Sequence, residues 1–165
     1  MKRLPNVVWA PLVSGVLMLV PGMLAIVTGQ VWLFPSLGPT AFLQAEAPSL
    51  RMSKLYNTLV GHFVGIVAGY FAIIALGLNG ADSVFVIHHV SPGRMWASVI
   101  AVTLTLAGQV IFKAAHAPAA ATTLLITMGG FQRKWIDVAD LAVGILVVAL
   151  LGEILRRIRV AGGEG

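Results

Sequence analysis

Cysteine is absent from the 165 residues, and charged side chains make up only 10% of them. Without thiols the chain has neither disulfides nor thiolate chemistry, and nothing in it reports a redox compartment. Soluble domains carry about a quarter charged residues. The scarcity of charge therefore excludes an ordinary soluble enzyme, a disordered tail and a disulfide-stapled secreted module. Catalytic patterns are missing too: there is no Gly-x-Ser-x-Gly elbow, no Gly-rich phosphate loop with its lysine and no His-Glu-x-x-His helix. No two carboxylates share an apolar segment at a spacing suited to acid–base work, and no soluble stretch is large enough to bind ATP. The expectation is a non-enzyme with no cofactor. What fills the chain is 58% hydrophobic residues at a mean hydropathy of +0.93, the composition of an integral membrane protein whose first partner is the lipid bilayer.

Lys and Arg number 11 against 6 Asp and Glu, a balance that elsewhere raises nucleic acid as a partner. Here the basic residues fall at the ends of apolar stretches, so they read as topology signals, and no nucleic-acid partner is expected. After Lys2 and Arg3 no charge appears until Glu46, a run of 42 residues. That is roughly 63 Å of helix, enough for two crossings of a core about 30 Å thick. The run is broken by Gly29-Gln30, Pro35, Gly38 and Pro39. Leu55–Ala81 follows a charged linker, then a loop from Asp82 to Arg94, then Met95–Phe112, Ala114–Gln132 beyond Lys113, and Asp137–Leu155. The first apolar run, Val7–Gly29, exceeds a signal-peptide core and shows no small-residue cleavage pattern, so it reads as a mature transmembrane helix.

Two topologies compete, with segments 31–45 and 114–132 either re-entrant or fully crossing. Four spans divide the basic residues six to five between the two sides. Six spans divide them eight to three, leaving Arg94, Arg133 and Lys134 as the minority. Because Lys and Arg concentrate in short cytoplasmic loops, six crossings are expected, with both termini cytoplasmic in a bacterial-type inner membrane. The six segments form two triplets offset by about 82 residues, residues 4–81 and 94–159 of a single domain spanning 1–165. Thr40 then stands opposite Thr122, and, with one residue of slip, Gly61 and Gly69 match Gly144 and Gly152. A repeat of three crossings is necessarily inverted, and inverted repeats with broken middle helices are a transporter architecture.

The middle segments carry a family resemblance. Trp32-Leu33-Phe34-Pro35-Ser36-Leu37-Gly38-Pro39-Thr40-Ala41, Tyr56-Asn57-Thr58-Leu59-Val60-Gly61-His62 and His116-Ala117-Pro118-Ala119-Ala120-Ala121-Thr122 together resemble the HPP family of small integral membrane proteins. The resemblance covers about residues 9–155. The family's His-Pro-Pro reads His116-Ala117-Pro118 here, its following glycine is Ala120, and a Gly-Ala-Ser-Ala step reads Gly38-Pro39-Thr40-Ala41. Plant and cyanobacterial members are associated with nitrite transport, so the resemblance implies a small anion as substrate.

Helices that restart inside a membrane expose N–H groups and a positive dipole end. Restarts near Pro39-Thr40 and Pro118–Thr122 would bring two such ends together, with Ser36, Gly38, Thr40, His116, Thr122 and Thr123 as candidate substrate-binding residues. A dipole end contributes up to about 2 kcal/mol, whereas burying an ion at low dielectric costs of order 20 kcal/mol in the idealised limit. Several direct hydrogen bonds must therefore join in. His62 and Lys113 are candidate pathway residues, Lys113 at the cytoplasmic mouth, although packing or capping is the commoner role for a histidine placed like His62. Neither His88-His89 nor any other group suggests a metal site. Gly61, Gly65 and Gly69 form a small-residue face for close helix packing, within the chain or against another. Trp9, Trp32, Trp96 and Trp135 read as interfacial anchors, Asp140 and Glu153 as interfacial carboxylates, and Glu46 as interfacial or a gate. The expectation is an all-α, six-segment 3+3 inverted repeat that transports a small anion. The alternatives are an assembly subunit packing through its glycine face and a pore for a neutral solute. At this size a homodimer is expected to complete the path.

Overall fold

The computed structural model describes residues 4–161; Lys2 and Arg3, counted above, lie outside the described residues. All regular structure within them is helical: α1 (Asn6–Thr28), α2 (Leu37–Glu46), a 3-10 turn (Arg51–Ser53), α3 (Leu55–Ala75), α4 (Val84–Ile87), α5 (Pro92–Ile111), α6 (Ala119–Thr127) and α7 (Trp135–Ala161). Four of these, α1, α3, α5 and α7, are long and apolar enough to cross a membrane. Their outward faces are apolar, with Val7, Ile26 and Val27 of α1 about four-fifths exposed, a surface suited to lipid rather than to water. The protein is a multi-pass membrane protein.

The two middle segments differ from continuous helices. Only Leu37–Glu46 and Ala119–Thr127 are wound, each about 15 Å long. Residues 31–36 and 113–118 approach them in non-helical conformation, with Lys113 in the left-handed region. Both segments nonetheless run from one end of the bundle to the other. Trp32 Nε1 donates to Asp140 near the start of α7, while the Pro48 carbonyl accepts from Arg156 near its end. The Phe112 and Ala115 carbonyls accept from Tyr56 and Asn57 at the start of α3, while the Gln132 carbonyl accepts from Tyr70 near its end.

Contacts divide the helices into two groups of three, α1 with α2 and α7, and α3 with α5 and α6, joined where α3 meets α7. Glycines set the close approaches. A Cβ on Gly61 would come within 2.6 Å of His116 Cβ and 3.4 Å of the Ala114 carbonyl, and one on Gly65 within 2.8 Å of Thr123 Oγ1. On α7, a Cβ on Gly144 would come within 2.6 Å of Phe34 and 2.8 Å of the Trp32 carbonyl, and one on Gly152 would run into Gln44. The Gly61–Gly69 face is thus filled by α6 and the segment leading into it, within the same chain. Below these contacts a shared core of Phe34, Leu37, Tyr70, Ile126, Leu141 and Val148 joins both groups.

Two expectations are corrected. Asp140 and Glu153 are buried rather than interfacial, because each has found partners. Asp140 holds the Trp32 indole, which makes Trp32 a tertiary tie as well as an anchor. Glu153 accepts from Arg156, from Arg157 and from the Leu55 backbone N–H, and Arg156 reaches on to Pro48. This cluster ties the ends of α2 and α7 to the start of α3.

Overpacking a tight contact costs about 1–3 kcal/mol. Gly61→Ala is therefore expected to lower the unfolding midpoint in detergent, while Gly15→Ala, whose added Cβ meets nothing within 4 Å, leaves it unchanged or raises it. Thermal unfolding of the two variants beside wild type checks this.

Candidate functional site

Each short helix begins inside the bundle, and the chain deals with the broken backbone locally. Leu37 and Gly38 N–H groups donate to the Phe34 and Pro35 carbonyls, and those of Ala119, Ala120 and Ala121 to His116, Ala117 and Pro118. Pro39 has no N–H to satisfy. Gln109 clamps the approach to α6 from both sides, accepting from His116 N–H at 3.0 Å and donating to the His116 carbonyl at 3.1 Å. The expected free N–H groups at the two helix starts are thus spent in turns, and the site is built from side chains.

The helices pass antiparallel with their first turns overlapping. Ser36, at the start of α2, accepts a hydrogen bond from Thr122 of α6 at 2.8 Å. Thr40, one turn into α2, lies 3.3 Å from His116 Nε2. His62 of α3 joins the two, with Nε2 2.9 Å from Thr40 Oγ1 and Nδ1 2.8 Å from Thr122 Oγ1. The rings of His62 and His116 stand 4.9 Å apart and tilted. All five side chains are no more than 1% exposed.

Proton placement in this cluster is constrained. The Met52 carbonyl, 2.8 Å from His116 Nδ1, only accepts, so Nδ1 carries the hydrogen and a neutral ring leaves Nε2 bare. Thr122 gives its proton to Ser36, so its oxygen accepts from His62 Nδ1–H and leaves the Nε2 of a neutral His62 bare as well. Both bare nitrogens face one Thr40 hydroxyl, which has one proton to give and also reaches the Ser36 carbonyl at 3.3 Å. A single added proton resolves the conflict, since either ring can then donate to Thr40 while Thr40 donates to the other. A second would set two imidazolium rings about 5 Å apart, a repulsion of about 3 kcal/mol even at an effective dielectric of 20. The groups facing the rings from the surrounding helices are the uncharged Ser36, Thr40, Gln109 and Thr122.

A model of the family described as HPP, transmembrane region, matches residues 1–161. The chain belongs to the HPP transmembrane family. No curated protein and no solved structure matches it.

In this HPP protein the His116-Ala117-Pro118 step falls where the chain enters the second short helix. Of the candidate residues, Ser36, Thr40, His116 and Thr122 converge, and His62 stands at their centre rather than capping a helix. Gly38 lies on the outer flank, where it lines a mostly apolar groove of about 660 Å³ with Pro39, Met52, Ala117 and Pro118. Thr123 does not join. It faces the other way, 2.9 Å from Thr105 and bonded to the Gly65 and Ala119 carbonyls, because adjacent residues on a helix point about 100° apart. Lys113 is exposed at the end of α5, with its carbonyl accepting from Arg51. Glu46 is exposed beside the groove.

Gln44 and Gln109 were not among the candidates. Their only signal is a polar residue in an apolar helix, with Ser36, Thr40 and Gln44 at successive steps of four along one face. Gln44 is 1% exposed and both its amide atoms lack partners. Buried amides are rarely left so.

The hydrogen-bond directions predict that both neutral rings of this HPP protein carry their hydrogen on Nδ1. Nitrogen-15 shifts of histidine-labelled protein at alkaline pH report the tautomer. Thr122→Val removes the acceptor of His62 and should shift that ring toward the Nε2–H form, with His116 unchanged.

Proposed function

We propose that this HPP protein carries a small anion, nitrite on the family resemblance, across the membrane together with a proton. The observation that carries the reading is the Thr40 hydroxyl set between two ring nitrogens that both require its proton. Taking up one proton completes the hydrogen bonding but leaves a positive charge in the interior of the bundle. Such a charge is expensive unless paired, and a small anion bound beside it removes that cost. Proton and anion therefore favour each other's binding. The Ser36 hydroxyl, which accepts from Thr122 and keeps its own proton free, and the unpartnered Gln44 amide, two turns further along the same face of α2, supply the direct hydrogen bonds that helix dipoles alone do not. Gly38 leaves the approach from the groove open, and Lys113 attracts anions at the cytoplasmic end.

The architecture in this reading is six crossings arranged as a 3+3 inverted repeat, both termini cytoplasmic in a bacterial-type inner membrane. Support comes from contacts that recur with an offset of 82 or 83 residues. Gly61 meets Ala114 and His116 where Gly144 meets Trp32 and Phe34, and Gly69 meets Ile126 where Gly152 meets Gln44. The last helix of each half packs on the short helix of the other, α3 on α6 and α7 on α2, as two related halves would by exchange. Transport without a catalytic step, and a homodimer on grounds of size, belong to the same reading. The assembly-subunit alternative loses its proposed surface, because α6 fills the Gly61–Gly69 face.

Nitrite uptake into proteoliposomes tests the proposal. Saturable uptake, driven by an inward proton gradient and competed by related anions such as nitrate or formate, is expected. Removing one hydrogen bond to the site is worth about 1.4 kcal/mol, or tenfold, so Thr122→Val should cut uptake by about that factor, and His116→Ala should abolish the response to the proton gradient. Absence of uptake above empty liposomes by folded protein would overturn it. Gln44→Met offers a separate check. An unpartnered buried amide costs about 1–3 kcal/mol, so this variant should melt higher than wild type yet transport more slowly.

A further inference from the structure

Arg94, Arg133 and Lys134, the basic residues left on the minority side of the charge tally, all line one cavity. It has a volume of about 210 Å³ and lies where α3 and α6 end and α5 begins, at the opposite end of the bundle from Arg156. Asn79 and Gln132 complete its polar wall, Ile73 and Phe131 its apolar floor, and no carboxylate is among its lining residues.

Arg94 is the buried member, only 4% exposed. Its guanidinium donates to the Thr127 carbonyl at 2.8 Å and to the Ala81 and Asp82 carbonyls at 2.6 and 3.1 Å, and its Nε has no partner. All three partners are neutral. Among the described residues Arg94 has no ion pair: the exposed Asp82 carboxylate acts on it only at longer range, and Asp137 accepts from the Gln132 backbone N–H. A buried guanidinium with no directly paired counter-anion is costly, and two further cations beside it raise that cost. The carbonyl clamps explain how Arg94 is held; they do not neutralise it.

We propose that this cavity is a binding site for a small inorganic oxyanion, which supplies the missing negative charge. Guanidinium and ammonium groups both form strong charge-assisted hydrogen bonds to such ions. The volume is below the roughly 300 Å³ at which sites for drug-sized ligands begin, so it suits an ion of a few atoms with part of its hydration. A free anion and the phosphate of a lipid headgroup offer the same chemistry. That the site is the far-side station of the transport path rests on the transport reading above; that it binds an anion does not.

The test is nitrite binding, separate from flux, by protein in nanodiscs of phosphatidylcholine alone or with phosphatidylglycerol. In phosphatidylcholine, nitrite should raise the melting temperature saturably. The double variant Arg133→Gln/Lys134→Gln, both exposed residues, should weaken that response about tenfold while leaving the nitrite-free melting temperature alone. Lys54→Gln, an exposed lysine at the other end of α3, should change nothing, and Arg94→Lys is added if it melts as wild type does. If a headgroup is the occupant, phosphatidylglycerol raises the melting temperature of wild type but not of the double variant, and blocks the nitrite response. A double variant that matches wild type toward both nitrite and phosphatidylglycerol overturns the site. Proteoliposome uptake separates the two proposals. Binding without uptake removes the transport reading and leaves the site, whereas uptake with an unchanged KM and unchanged binding in the double variant removes the site and leaves transport.

Discussion

Two helices begin in the middle of the bundle, where lipid offers no water to satisfy a broken backbone, and the rest of the structure follows from how that is managed. Prolines at 35, 39 and 118 remove donors, tight turns use others, and Gln109 closes the approach to α6 on both sides. Broken backbone of this kind is tolerated at membrane depth only where protein buries it, so α3 and α7 must come close. Their glycines are what allow it. Gly61 leaves room for His116, and Gly144 leaves room for Phe34 and the Trp32 carbonyl.

That close approach also concentrates polarity. Once α3 lies against the start of α6, His62 falls between Thr40 and Thr122, and the cluster becomes a chain of hydrogen bonds one proton short of complete. An apolar core would have been the safer way to fill this volume, since partly satisfied polar networks are costly. The unpartnered amide of Gln44 deepens that cost. The transport reading accounts for why such groups are kept in the centre of a small membrane bundle.

Charge is handled differently at the two ends. At one, Glu153 neutralises Arg156 and ties three elements together. At the other, Arg94 performs a similar mechanical task through carbonyls alone. One end is closed by an ion pair, and the other keeps its positive charge available.

Composition alone determined that this is a multi-pass membrane protein, because a chain with so few charges has no surface fit for water. Local signals also went far: prolines and glycines marked the non-helical stretches that lead into the two short helices, and the His116 and Thr40 motifs carried the family resemblance. They failed wherever the answer depended on what a residue meets across the bundle. Nothing local distinguishes Thr122, which enters the site, from Thr123, which turns away from it, or tells a capping His62 from a bridging one. Nor could charge counting reveal that Asp140 and Glu153 find buried partners, or that three dispersed cations share one cavity. Spacing along the chain fixes which face of a helix a residue occupies; which neighbour that face meets was decided only by the packing of the helices.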